Sequence, residues 1–183
     1  MAISCSLNKN LLRKDTCSYS LPEVTDIYLA NFSDITAAPV DYDCESAGTV
    51  EVSALTIASG AHFFHIEPAK NSTTYTDELV VEDSTGNKYR THTLTFNLNG
   101  KYDKNMICPV DALALGRFFA VVKTADGEYL ALGRSVGLEA SAQSVAGGGD
   151  TNGVSVTLSA NVTESAVPLS EAAKTTMLGA IAE

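Results

Sequence analysis

Polar and apolar positions alternate most cleanly over residues 88–99, KYRTHTLTFNLN. His92, Leu94, Phe96 and Leu98 fall on one face, and Thr91, Thr93, Thr95 and Asn97 on the other. A period of two marks a strand with one buried and one wet face. Upstream, Leu79, Val80 and Val81 lead into the turn-forming run Asp83-Ser84-Thr85-Gly86-Asn87, so residues 75–99 read as one long β-hairpin. At about 3.3 Å per residue the second strand spans ~40 Å. Ordinary strands run to about 5–6 residues. The length therefore predicts an arm that reaches beyond its own core toward another subunit.

The same patterning extends along the chain. Residues 24–31, VTDIYLAN, read as a strand, and the acidic stretch 34–48 as a loop. Residues 50–57 alternate (Val50, Val52 and Ala54 against Glu51, Ser53 and Leu55), Gly60 interrupts, and residues 61–67, AHFFHIE, form the next strand before Pro68. Residues 117–123, RFFAVVK, are apolar on both faces, which marks a central strand. Ala125-Asp126-Gly127 turns the chain into a returning strand, 128–133, and residues 136–142 make another short one. The loop AGGGDTNG precedes residues 153–162, where Val154, Val156, Leu158 and Ala160 alternate with Ser155, Thr157, Ser159 and Asn161.

Helical spacing is concentrated in one place. Met106, Pro109, Val110 and Leu113 share a face, Pro109 suits a first turn, and Gly116 is a stop. Beyond Pro168, Ala173, Met177 and Ile181 allow a short helix or a frayed tail. The pattern predicts a mainly β fold: a β-sandwich or barrel of about seven to nine strands, one short flanking helix and a long protruding hairpin. Residues 1–22 form an N-terminal arm, 23–168 the β domain, and 169–183 a C-terminal tail.

Composition changes this picture in two ways. First, the net charge of −10 is unevenly spread: residues 15–69 hold nine acidic side chains and no Lys or Arg, and Lys174 is the one cation after Arg134. A groove that grips nucleic acid needs clustered Lys and Arg. An acidic surface serves solubility first, and secondly repels a polyanion. Second, Cys5, Cys17, Cys44 and Cys108 are widely spaced, without a Cys-x-x-Cys pair or a zinc pattern. Residues 1–15 carry Lys9, Arg13 and Lys14 and lack the apolar core of a secretory signal. No apolar run is long enough to span a membrane. These features predict a soluble, intracellularly made protein with free, mostly buried thiols and no membrane insertion.

No catalytic constellation emerges. His62 and His65 point to opposite faces of a strand, and His65 with Glu67 supplies only two ligands. The Gly147-Gly148-Gly149 run lacks the Lys-Ser/Thr of a phosphate loop. Asp41, Asp43 and Glu45 lack the spacing of a calcium loop. His92 has no Ser or Cys partner in an elbow motif. The expectation is a protein without enzymatic activity, metal or cofactor.

The order of segments resembles tail tube proteins of tailed bacteriophages, in particular the short forms of phages and prophages of Bacteroides-like hosts. The resemblance covers roughly residues 24–168. It is carried by Ile27-Tyr28-Leu29-Ala30-Asn31, Phe64-His65-Ile66-Glu67, Thr91-His92-Thr93-Leu94-Thr95, the strand 117–122 with its Asp126-Gly127 turn, Tyr129-Leu130-Ala131-Leu132-Gly133, Gly137-Leu138-Glu139, and Asp150-x-Asn152-Gly153. It implies a virion structural protein, assembled in the host bacterial cytoplasm, whose hexameric rings stack into a tube for DNA ejection. Its partners would be copies of itself, other tail and neck proteins, and phage DNA passing without specific binding.

The hairpin residues Leu79, Val80, Val81, Glu82, Asp83, Gly86, Asn87 and Lys88 are then expected at subunit contacts. Thr91, Thr93, Thr95, Asn97, Ser155, Thr157, Ser159 and Asn161 are expected to face the lumen. A tail terminator or neck connector ring is the nearest rival. An immunoglobulin-like adhesion domain and a cupin-like metalloenzyme using His65 and Glu67 are more distant ones.

Overall fold

The computed structural model describes residues 23–43, 49–99, 104–147 and 153–182. They form, in chain order, β1 (Val24–Asn31), β2 (Ile35–Ala37), β3 (Val40–Asp43), β4 (Thr49–Val52), β5 (Thr56–Ile57), β6 (Phe64–Ile66), β7 (Thr74–Val81) and β8 (Lys88–Asn99). Then follow α1 (Ile107–Leu115), β9 (Arg117–Thr124), β10 (Tyr129–Leu132), β11 (Leu138–Ala146), β12 (Gly153–Val162), β13 (Val167–Pro168) and α2 (Glu171–Leu178).

The strand that is apolar on both faces, β9, organises the rest. Phe118, Phe119, Ala120, Val121 and Val122 are all buried. One edge of β9 pairs with β1, from Thr124 opposite Val24 to Phe118 opposite Asn31. Its other edge is shared: Ala120 to Lys123 pair with β10, whereas Phe118 and Arg117 pair with Leu138 and Glu139 of β11. The main sheet therefore runs β13-β10-β9-β11-β12-β8-β7, with β1 attached at β9 and β6 at β1. All these pairings are antiparallel.

Side-chain alternation splits the core in two. Ile27, Leu29, Phe118, Ala120 and Val122 meet Leu94 and Phe96 of β8 and Val154, Val156 and Leu158 of β12 in one cluster. The wing β11-β12-β8-β7 thus packs over one face of β1 and β9, and α1 adds Val110 and Leu113 to the same cluster. The opposite face presents Tyr28, Ala30, Phe119, Val121, Tyr129 and Ala131 to Val52, Leu55, Phe63 and the α2 residues Ala173 and Met177. Phe63 meets Phe119 edge-on at 6.1 Å, a favoured aromatic geometry.

Several expectations are corrected. The described residues hold thirteen strands, not seven to nine, and beside α1 the tail forms the second α-helix that its spacing allowed. The acidic stretch read as a loop contains β2 and β3, because Ile35, Ala38 and Val40 pack on the second core cluster. The strand read at 50–57 is two: β4 pairs with β3 and β5 with β2, and Ser53 N–H donates to Pro39 O between them. The strand at 61–67 shortens to β6, since Phe63 turns into the core and bridges to Ile181.

The strand read at 136–142 begins at Leu138 and runs to Ala146, held by its ladder with β12. Gly137, just before it, has φ +74°, and a Cβ there would lie 2.4 Å from Arg117 Cγ. The tail forms α2, capped by Ser170 Oγ accepting from Ala173 N–H. Phe64 is half-exposed rather than core, and the Cys108 thiol is exposed rather than buried. The arm 1–22, Cys5, Cys17, Cys44, Glu45, Gly148 and Gly149 lie outside the described residues.

Burial separates two substitutions sharply. Phe119→Ala should cost about 3–5 kcal/mol, as for other fully buried aromatics. Thr95→Ala, which loses only one half-buried side-chain hydrogen bond, should cost within about 1 kcal/mol. Chemical denaturation of both variants measures the difference.

Candidate functional site

The face of β8 that carries its Thr residues does not stand alone. Ten consecutive pairs join β8 to β12, from Asn99 opposite Gly153 to Arg90 opposite Val162. This register sets Asn97 against Ser155, Thr95 against Thr157, Thr93 against Ser159, and Thr91 against Asn161. All eight residues expected at a lumen therefore share one face as four cross-strand pairs. Thr91 Oγ1 donates to Asn161 Oδ1 at 2.9 Å, and the Thr95 and Thr157 hydroxyls lie 3.1 Å apart. These two bonds satisfy hydroxyl and amide groups across the ladder and hold their side chains in one orientation.

The flanking strands widen this face. Thr74 and Thr76 of β7 lie opposite Thr95 and Thr93. On the other side Ala142 and Ser144 of β11 lie opposite Thr157 and Ser155. The result is a four-stranded surface of Thr, Ser, Asn and Ala, with Glu78 and Glu139 at the two flanks, opposite Thr91 and Ser159. Sequence reading missed Thr74 and Thr76, although their spacing of two is visible in TYTDELVV.

The hairpin is formed as expected, but its length has another cause. Most of β8 lies in the body of the fold because both its edges are paired, one with β12 and one with β7. The part exposed throughout is residues 81–88. Within this tip Glu82 N–H donates to Asn87 O at 2.9 Å, and Gly86 N–H donates to Glu82 O at 2.7 Å. Gly86 takes φ +71°, a conformation that L side chains adopt at a cost. Thr85 Oγ1 donates to Glu82 Oε2 at 2.8 Å, so the turn is internally ordered. Beside it Leu79 and Val81 are 59% and 46% exposed on the same side of the hairpin as the core residues, past the end of the core.

At the base of the hairpin, counting back from Val81 opposite Lys88 puts Asp77 opposite His92. Asp77 Oδ1 accepts from Arg90 Nε at 2.6 Å and lies 3.4 Å from His92 Nε2. Its Oδ2 accepts from Ala166 N–H at 2.9 Å. His92 is fully buried, and its Nδ1 accepts from Gly133 N–H at 3.2 Å. Glu164, also buried, accepts from Ser135 N–H at 2.7 Å and meets Arg134 Nη2 at 3.5 Å. Burial alone would raise the pKa of Asp77, but the hydrogen bonds from Arg90 and Ala166 and the nearby charges of His92 and Arg90 hold it below its ordinary value. His92 was legible in the sequence as a histidine on an apolar face. Its partners were not, because Gly133 and Glu164 come from distant segments.

Elsewhere His65 pairs with Asp26, not Glu67: His65 Nε2 lies 2.8 Å from Asp26 Oδ1 across the β1–β6 ladder. Lys123 Nζ also binds Asp26 at 2.9 Å, and the His65 ring stacks on Tyr28 at 4.9 Å. Among the described residues no group of three or more His, Cys, Asp or Glu side chains is placed to hold a metal ion. A shallow apolar cleft formed by Phe32, Ile35 and Pro39 ends at Arg134, whose guanidinium binds Ala38 O and Glu164. No helix among the described residues is long and apolar enough to cross a membrane.

No known protein family matches the chain, and no curated protein matches it.

Asp77→Asn should destabilise the protein by about 1–3 kcal/mol near neutral pH, the scale for a half-buried charged hydrogen bond. A lowered carboxyl pKa contributes stability above its unfolded value of 3.8, and that stability is lost as pH falls through the folded value. Urea midpoints of the variant and the parent should therefore converge as the pH drops below about 4.

Proposed function

We propose that this protein is the tail tube subunit of a tailed bacteriophage, a virion structural protein whose hexameric rings stack into a conduit for DNA. The observation that carries this reading is the four-stranded face of Thr, Ser, Asn and Ala. A polyanion binds where cations cluster and releases condensed counterions there. A surface of neutral hydroxyls and amides, on a chain of net charge −10, offers no such site. In the proposed tube that face lines the lumen, and DNA slides past it.

The second part of the reading concerns assembly. Rings and filaments arise from head-to-tail contacts between unlike surfaces of one chain. The exposed Leu79 and Val81, beside an ordered turn, present apolar area that a neighbouring subunit would cover. Among the described residues the outer edge of β7 ends the main sheet, and an edge of that kind offers backbone donors and acceptors that another strand can pair. In this reading the tip contacts another subunit through residues 79–88.

Negative-stain microscopy of the purified protein tests both parts. The parent should form stacked rings, and a single ring that never stacks would instead point to a terminator or connector. Deleting residues 82–88 should leave the circular dichroism spectrum unchanged and abolish stacking; normal tubes from that variant would refute the role of the tip. Placing Thr93→Lys with Ser159→Lys should leave tails assembled and slow DNA ejection, read by dye fluorescence after receptor triggering. Unchanged ejection would remove this face from the lumen.

A further inference from the structure

His92 and Glu164 are buried among the described residues, and both sit where the hairpin meets the body of the fold. We propose that His92 is a proton-operated latch, which fastens the hairpin base to the turn between β10 and β11 and releases it in mild acid. The latch is a property of the single chain and does not depend on the tube assignment.

The geometry determines which proton the ring can carry. Its Nδ1 accepts from Gly133 N–H, so the neutral ring holds its hydrogen on Nε2, which lies 3.4 Å from Asp77 Oδ1 without forming a hydrogen bond to it. A second proton must go onto Nδ1. That would set two N–H donors against each other, and one of them must leave. The Gly133 side cannot yield alone. Gly133 has φ +64°, its carbonyl accepts from Gly137 N–H at 2.8 Å, and a Cβ at Gly133 would lie 2.8 Å from Leu138 Cγ. Protonation therefore breaks the contact between the His92 ring and the Gly133 turn.

Two carboxylates tie the same junction to the segment after β12. Asp77 on β7 holds Ala166 N–H, and Glu164 holds Ser135 N–H and Arg134. The charges facing His92 are thus Asp77 and Glu164, which favour a cationic ring, and Arg90, which opposes it. Burial is the largest influence and also opposes it, so the folded ring is held neutral below its ordinary pKa. Once the junction opens, the ring regains an ordinary pKa of 6.5. A histidine with a depressed folded pKa supports the closed form above that value, and the support is lost as pH falls. Proton uptake therefore raises the opening constant between pH 7.5 and 5.5, by up to about tenfold when the closed ring takes up no proton in that range.

Amide hydrogen exchange on the full chain, followed by NMR at both pH values and corrected for intrinsic rates, tests the latch. Gly133, Ser135 and Ala166 should be less protected than Phe119 and Val121 of β9, and their protection should fall on acidification by up to about tenfold. His92→Gln should abolish that fall. Protection at Gly133 and Ala166 that is independent of pH, or equal to that of β9, would overturn the proposal. A second measurement covers a variant that fails to fold: a nitrogen-15 titration of the parent imidazole. His92 taking a proton while the Gly133 amide shift stays fixed would equally overturn it.

Discussion

The ten-pair register between β8 and β12 is the constraint on which the rest depends. Side chains on paired strands alternate together, so one choice of register sorts both strands at once. It sends Leu94, Phe96, Val156 and Leu158 into the core and the paired Thr, Ser and Asn residues outward. A slip of one residue would bury hydroxyls and expose Phe96. The cost of that slip is what makes an uncharged, regular outer face compatible with a well-packed interior.

The central pair β1 and β9 has a different task. Both of its faces are buried, so it cannot alternate between apolar and polar. Its sequence is a run of large and small apolar residues, Phe118-Phe119-Ala120-Val121-Val122, in which size alternates less than burial demands uniformity. One face receives the wing that carries the proposed lumen surface. The other receives α2, Val52 and Phe63, with Lys174 Nζ 5.1 Å over the Tyr129 ring. The long hairpin is thus anchored to a layer that is itself held from both sides. The polar junction at Asp77, Arg90, His92 and Glu164 closes the open end, where apolar packing stops.

Alternation made the two amphipathic strands, the two-faced strand β9 and the helix ending at Gly116 legible in advance. These are local signals, because the period of a strand or helix repeats within a few residues. Strands β2 and β3 were not legible, and neither was the break that separates β5 from β4. These strands are two to four residues long, too short to show a period, and they exist because Ile35, Val40 and Ile57 find partners on a core assembled from elsewhere. The hairpin shows the same division from the other side. The turn and both strands were read correctly, yet twelve residues in β8 signified a strand paired on both edges rather than an arm standing free.

The chain by itself determined which residues of β8, β9 and β12 turn inward and where the hairpin turns. Each follows from residue type and spacing, which act over one or two turns of chain. The tertiary structure decided which polar residues share a surface and which charges meet. Thr93 faces Ser159, and His92 meets Gly133 and Asp77, because strands distant in sequence settle into the one register that buries their apolar faces. That choice depends on the whole core, and no local pattern contains it.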